Sequence, residues 1–328
     1  MPEEQITDTP AAAGAALARL AQELDQVIPA KRADRNLLIG TWNLRAFGGL
    51  TKSWKARPAD SPKRNFRDIA CIAEVVSRFD VVALQEVRGD LRALRHLLKR
   101  LGEHWAFLLT DVTKGPAGNN ERLAFLYDTR RVKPSGLACE LVVWIAEDSP
   151  TITEGSLDRQ FARTPYACSF ATVGPNPTTF ILVTLHVDWG NKPGDRIPEL
   201  KAIAEWLANW AEREEEWNHN LIALGDFNID GIDDDLYNAF TSTGLEPPPG
   251  LAHLPRTIFD KPQANHHYDQ IAWFNTKVKK RPVLNLACSK AASFDFVPEL
   301  RGNQTLNTLS WHISDHYPLF VEFELPHP

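Results

Sequence analysis

Cysteine is scarce in this 328-residue chain: the four, Cys71, Cys139, Cys168 and Cys288, stand far apart. They form no CxxC pair and no zinc-like spacing with histidine, so four buried, reduced thiols are expected. No apolar run reaches the ~18 residues of a membrane span. The N-terminus, Met1-Pro2-Glu3-Glu4, carries no basic leader region, so a cytoplasmic location is expected. Two catalytic signatures are also missing. There is no GxxxxGK[ST] phosphate loop and no GxSxG elbow, and no serine or cysteine sits in a motif that suggests a covalent nucleophile. An excess of positive charge is absent too. The net charge of −6 argues against a surface that coats nucleic acid. It leaves a nuclease open, because carboxylates gathered around a divalent cation count against the total.

What is present reads as a large globular domain. Apolar content of 43% and charged content of 24% are ordinary for one. Residues 1–10 read as a disordered tail. A helix is expected over 11–27, with Leu17, Leu20, Leu24 and Val27 at helical spacing and Pro29 stopping it. Residues 1–36 are thus an accessory segment on a main domain over 37–328. Within that domain, strands are expected at 37–44, 80–84, 105–110, 123–127, 140–145, 166–172, 179–187, 221–224, 269–274 and 318–324. Helices are expected near 67–78, 91–101 and 195–215. Many short strands with few helices suit an α/β layered fold, with sheets packed face to face and helices outside. The polar loop 48–64 and its flank concentrate Lys52, Lys55, Arg57, Lys63, Arg64 and Arg67 against Asp60, which suits phosphate steering. Trp54 and Trp189, also in polar loops, are candidates to stack on a base or a sugar.

The strand ends carry the chemistry. Asn43, Glu86, His186, Asp226 and Asn228 follow buried runs; Asp269 and Asp315-His316 precede them. Carboxylates, carboxamides and two histidines without cysteine are the ligand set of a hard cation such as Mg²⁺ or Ca²⁺. That set suits metal-assisted hydrolysis of a phosphate ester, with one histidine as base and the other as acid. Each histidine needs a carboxylate to fix its tautomer; Asp269 for His316 and Glu121 for His186 are the candidates.

Taken in order, Thr41-Trp42-Asn43-Leu44-Arg45, Gln85-Glu86-Val87-Arg88, Glu121-Arg122-Leu123-Ala124-Phe125-Leu126, Thr184-Leu185-His186, Gly225-Asp226-Phe227-Asn228, Tyr268-Asp269-Gln270-Ile271 and Ser314-Asp315-His316-Tyr317-Pro318 resemble the endonuclease/exonuclease/phosphatase superfamily. The likeness is strongest to its deoxyribonuclease I branch. It implies a four-layered αββα sandwich with the site at one edge of two mainly antiparallel sheets. By motif position, Asn43, Glu86, Asp226, Asn228 and Asp315 would ring Mg²⁺ (or Mn²⁺ or Ca²⁺) and the scissile phosphate. His316, oriented by Asp269, would be the base, and His186, paired with Glu121, the acid. Arg88 matches a residue that enters the DNA minor groove, and Arg163 a phosphate-contacting arginine.

The chain departs from that pattern in lacking a comparable cysteine pair and in having Asn119 where the family has a groove-contacting tyrosine. The loops 48–64 and 188–195 read as additions. The expected function is a metal-dependent DNA endonuclease, with no obligate protein partner. A phosphoesterase acting on a phospholipid head group or inositol phosphate is the alternative. A non-catalytic binding module would show a damaged site set, and this set is whole.

Overall fold

The computed structural model describes residues 4–114, 118–141, 161, 163–190, 192–212, 220–232, 234–261, 266–275 and 284–326. Two six-stranded sheets lie at its centre. The first has the order β11–β12–β1–β2–β4–β3, from Ala287–Ser293, Leu319–Glu324, Asn36–Phe47, Val81–Arg88, Glu121–Asp128 and Trp105–Leu109. The second runs β5–β6–β7–β8–β10–β9, from Val132–Glu140, Tyr166–Thr172, Thr179–His186, Leu221–Ile229, His267–Phe274 and Leu245–Glu246.

Alternation along the strands sorts side chains into layers. Leu37, Ile39, Val81, Ala83, Phe180 and Leu224 fill the space between the sheets. Their neighbours Trp42, Leu44, Val82 and Leu84 turn to the helices on the first sheet, α1 (Ala11–Val27), α2 (Phe66–Val76), α3 (Arg92–Leu101), α6 (Val297–Leu300) and α7 (Leu306–His312). Ile181, Val183, Leu185 and Ala223 meet α4 (Ile197–Ala211) and α5 (Asp235–Thr241) on the other side. Strands covered on both faces must be apolar throughout, which is why β8 is buried along its whole length. The result is the expected sandwich of helices, two sheets and helices.

Each sheet has one parallel pair, β1 with β2 and β7 with β8, and its other pairings are antiparallel. Parallel neighbours send their C-terminal ends to the same edge. The antiparallel neighbours β4, β10 and β12 begin there. Asn43, Glu86, His186, Asp226, Glu121, Asp269 and His316 are therefore delivered to one edge by strand direction alone.

The opposite edge holds an ion network. Asp80, beside β2, accepts from Arg131 Nε (2.9 Å) and the Leu38 N–H (2.9 Å). Asp128 accepts from Lys31 Nζ (3.2 Å) and from Arg130 through Nε (2.9 Å) and Nη2 (2.8 Å).

Several sequence readings are corrected. Residues 4–10 are not a loose tail: Ile6 is buried, and Glu4 and Gln5 accept from the Trp54 main-chain N–H and Nε1. Trp54 is thereby buried and removed as a stacking platform. Arg64 is buried as well, and its guanidinium donates to the carbonyls of Arg45, Ala46, His312 and Ile313. It pins the loop instead of steering phosphate. Cys71 and Cys168 are buried, whereas Cys139 and Cys288 are half-buried; all four are free. On α3 the core face is Ala93, Leu94 and Leu97, with Leu91, Leu98 and Leu101 only partly covered. Most of the strand expected at 140–145, and the C-terminal end of the 195–215 helix, lie outside the described residues. Among the described residues no helix is long and apolar enough to cross a membrane.

The Asp128 carboxyl has a readable pH signature. Burial pushes its pKa up, but Arg130 and Lys31 outweigh burial and hold it at about 2. A carboxylate depressed in the folded state stabilises above its unfolded pKa, and that contribution is lost as pH falls from about 4 towards 2. Asp128→Asn should therefore lower unfolding free energy by about 1 kcal/mol at pH 7, since solvent beside Arg130 screens part of the interaction. The gap to wild type should narrow below pH 4. Urea titrations at pH 7, 4 and 3 check both the size and the direction.

Candidate active site

Three of the strands that reach the site edge are locally broken there. Register shifts fall between Asn43 and Phe47 on β1, Leu84 and Val87 on β2, and His267 and Asp269 on β10. Bulges re-aim side chains beside active sites. Ala46, Glu86 and Asn228 accordingly hold positive φ angles of 46°, 60° and 51°, a strained conformation for residues other than glycine. Gly225 is needed for closeness: a Cβ there would lie 2.1 Å from the Leu185 carbonyl oxygen, and its φ is 141°. That contact sets β8 against β7, and so Asp226 beside His186.

Two carboxylate-backed histidines line one cleft of about 390 Å³. His316 Nδ1 lies 2.6 Å from Asp269 Oδ2, and His186 Nδ1 lies 2.9 Å from Glu121 Oε2. Their Nε2 atoms converge on a single oxygen, Asp226 Oδ2, at 3.9 Å and 3.6 Å. Asn43 Nδ2 reaches the same oxygen at 2.9 Å from the other sheet. The Asn228 N–H donates to Asp226 Oδ1 at 3.0 Å. Burial opposes charge on Asp226, yet His316, His186, Asn43 and Asn228 together hold its pKa below the ordinary value.

The two histidines differ in their surroundings. Burial works against a charged His316, but Asp269, Asp226 and Asp315 outweigh it and raise its pKa well above the usual value. Burial lifts Asp269 itself to about 6, against the pull of His316. His186 is also raised: burial and Arg163 oppose, while Glu121 and Asp226 prevail. Glu121 is shared, with Arg163 Nε at 2.9 Å and Arg88 Nη1 at 3.4 Å. Arg163 Nε and His186 Nδ1 thus share one carboxylate oxygen, Glu121 Oε2, each at 2.9 Å. Arg163 is 8% exposed. The structure thus places both arginines around Glu121, with Arg88 also 3.3 Å from Glu86 and bonded to the Asn119 carbonyl.

Asn43, Glu86 and Asp315 line the cleft on the side of the first sheet. Asn43 Oδ1 and Asp315 Oδ1 are buried oxygens without a hydrogen-bond partner. Glu86 Oε2 is steadied by the Ala46 N–H at 2.8 Å. Unpartnered buried oxygens beside carboxylates fit a hard divalent cation. Among the described residues, the acidic and imidazole ligand atoms gathered within 4.8 Å are those of Asp226, Asp269 and His316. Because Asp269 Oδ2 is already committed to His316, that triple is better described as a proton network than as a cation cage.

Sequence reasoning left out part of the lining. Thr257, Phe259, His266 and Tyr268 join Trp189 there. His266 stacks on Tyr268 (4.6 Å between centroids), Trp189 meets Tyr268 edge-on (5.4 Å), and the Tyr268 ring lies 5.9 Å from that of His316. Trp189 (49%) and Phe259 (46%) are exposed. His312 lies elsewhere, buried against Asp68 at 2.6 Å. Ser314, noted in its motif but given no role, holds the site edge together. Its hydroxyl donates to the Asn43 carbonyl (2.6 Å) and accepts from the N–H groups of His316 (3.1 Å) and Arg45 (3.3 Å).

Comparison with known proteins identifies the family. The model of the endonuclease/exonuclease/phosphatase family matches residues 40–316, and the chain belongs to that family of phosphate-ester hydrolases. Deoxyribonuclease-1 of Bos taurus is 25% identical over 297 residues, covering 87% of this chain and 92% of its own. A deoxyribonuclease of Thioalkalivibrio sp. (strain K90mix) is 27% identical over 197 residues, 59% of this chain; the match spans 46% of that protein's length. The fold recurs in a conserved protein of unknown function from Enterococcus faecalis V583 (TM-score 0.57, 18% identity, 88% of this chain and 99% of that one). It recurs also in an endonuclease/exonuclease/phosphatase family protein from Bacteroides thetaiotaomicron (TM-score 0.55, 17% identity, 89% and 95%).

Ser314→Ala should leave the Asn43 carbonyl and two N–H groups short of a buried partner. The expected loss is about 1–3 kcal/mol of unfolding free energy. Chemical denaturation measures it; an unchanged midpoint would show that these groups find other partners.

Proposed function

We propose that the protein is a divalent-metal-dependent phosphodiesterase whose substrate is DNA, cut internally. The observation that carries the reading is the convergence of two carboxylate-backed imidazoles on Asp226 Oδ2. Two imidazoles beside one anionic position suit hydrolysis at phosphorus, where one would take a proton from water and the other would give one to the leaving oxygen. Asp269 and Glu121 hold the imidazoles so that each Nε2 points to the cleft. Asn43, Asn228 and the anionic Asp226 orient the phosphate and water between them. Asn43, Glu86 and Asp315, with Asp226 beside them, would hold the cation, Mg²⁺ by the hardness of the donors, with Mn²⁺ or Ca²⁺ as substitutes. When bound, it would neutralise phosphate charge and ease ionisation of water. The match to deoxyribonucleases over most of the chain supports DNA. One observation favours a smaller phosphoester instead: Arg88 and Arg163 are engaged with Glu121 and are not free to grip a duplex.

Incubation with supercoiled plasmid and Mg²⁺ separates these readings. Wild type should nick; His316→Ala and His186→Ala should each fall by at least about 100-fold. Wild type that ignores plasmid but hydrolyses an inositol phosphate would move the assignment to the alternative. Mg²⁺ at 100 times its Kd should add about 2.7 kcal/mol to native stability. Glu86→Gln combined with Asp315→Asn should abolish that increment. No hydrolysis together with no Mg²⁺ stabilisation would leave only a binding module.

A further inference from the structure

The added loop does not wave over the site; it is built into the protein. Thr51 Oγ1 donates to the Pro62 carbonyl (2.7 Å), the Thr51 N–H donates to the Arg64 carbonyl (2.9 Å), and Arg64 fastens the end of the loop to Arg45, Ala46, His312 and Ile313. Between this loop and the end of α7 lies a second groove of about 550 Å³. Its polar and aromatic lining is Arg45, Asp60, Ser61, Lys63, Arg64 and Trp311. Arg45 and Lys63 stand against one carboxylate there, Asp60, while Arg64 is spent on backbone carbonyls. Trp311 is 43% exposed, a large apolar ring left open to solvent.

The groove adjoins the catalytic cleft through two contacts. Arg45 lies 3.5 Å from Asp315, and the Ala46 N–H reaches Glu86. Arg45 and Ala46 line the groove, while Asp315 and Glu86 line the cleft. The Arg45 guanidinium also lies over the Trp311 ring, 4.0 Å from its centroid. It covers one face of the ring with positive charge, and the solvent-exposed remainder of the ring is open to a base.

We infer that this groove is a subsite for the DNA strand running off the scissile phosphate on the side of the first sheet, with a base on Trp311 and a phosphate beside Arg45 and Lys63. The proposal rests on the phosphodiesterase reading above and extends it to a polynucleotide longer than the reacting linkage. A volume of this size suits one nucleotide-sized group. An aromatic platform with adjacent cations is how single strands are held without sequence preference. Lys63 spends one N–H on the Pro58 carbonyl and keeps two donors for a phosphate.

The test compares substrates of two lengths. Methyl p-nitrophenyl phosphate reaches the reacting centre but has no flanking nucleotide; a 12-mer oligodeoxynucleotide has both. Trp311→Ala should lower kcat/KM on the 12-mer about 5- to 100-fold, the range for loss of one stacked base. The same variant should leave the short diester unchanged, and Trp311→Phe should recover most of the loss. Binding of a fluorescein-labelled 12-mer in EDTA, followed by anisotropy, should weaken by a similar factor. Lys63→Ala should reduce the slope of log affinity against log salt by about 1.

Equal loss on both substrates would give Trp311 a structural role through Arg45 and Asp315, and would overturn the subsite. So would no loss on either. Wild type that nicks DNA while Trp311→Ala binds and cuts normally defeats the subsite alone. Wild type that neither binds nor cuts DNA defeats the DNA reading as well.

Discussion

Asp226 is a carboxylate with almost no solvent, and the site edge of the sandwich is arranged around satisfying it. A buried anion is costly unless donors and opposite charges surround it. Here those groups come from both sheets: Asn43 from β1, Asn228 from its own strand, His186 from β7 and His316 from the turn before β12. None of these strands could shift by one residue without exposing its apolar set and withdrawing its donor. The requirement that makes the carboxylate tolerable also brings the two imidazoles and the two carboxamides together.

The same strand directions produce a division of labour between the two edges. At the far edge, Asp80 and Asp128 are fully paired with Arg131, Lys31 and Arg130, so those charges stabilise the fold. At the site edge, Asn43 Oδ1, Asp315 Oδ1 and Asp269 Oδ1 are buried without partners. Strained backbone is also found here, at Ala46, Glu86 and Asn228. Unpartnered carboxylate and carboxamide oxygens together with strained backbone single out this edge as the candidate site.

Much of this was legible in the sequence because the signals are local. Apolar runs ending in a polar residue fixed the central strands, and the order of the motifs identified the pairs His316–Asp269 and His186–Glu121 through a resemblance. What stayed hidden depends on the fold. β5 contains Pro134 and Gly136, and β11 is mostly small and polar, so neither reads as a strand from pattern alone. Glu86 at a positive φ has no local signature, unlike glycine. Trp54 and Arg64 lie in a polar loop whose composition suggests solvent exposure, but its return onto the N-terminal segment and β1 buries both. Tyr268, His266 and Trp189 meet only because the 188–195 loop and the start of β10 arrive at one place.

The unequal surroundings of the two histidines give a last physical constraint. His186 shares its carboxylate with Arg163 and Arg88, so positive charge is already close to it. His316 has Asp269, Asp226 and Asp315 around it. Those three carboxylates favour the charged imidazole, which suits a donor more than an acceptor. For His316 to act as a base, positive charge beyond that of Arg45, 3.5 Å from Asp315, would have to lower its proton affinity. The unpartnered oxygens of Asn43 and Asp315 are where such charge would be held. Cation affinity and proton affinity are in this way two expressions of one electrostatic balance, and the motif that sets Asp315 next to His316 couples them through adjacent residues.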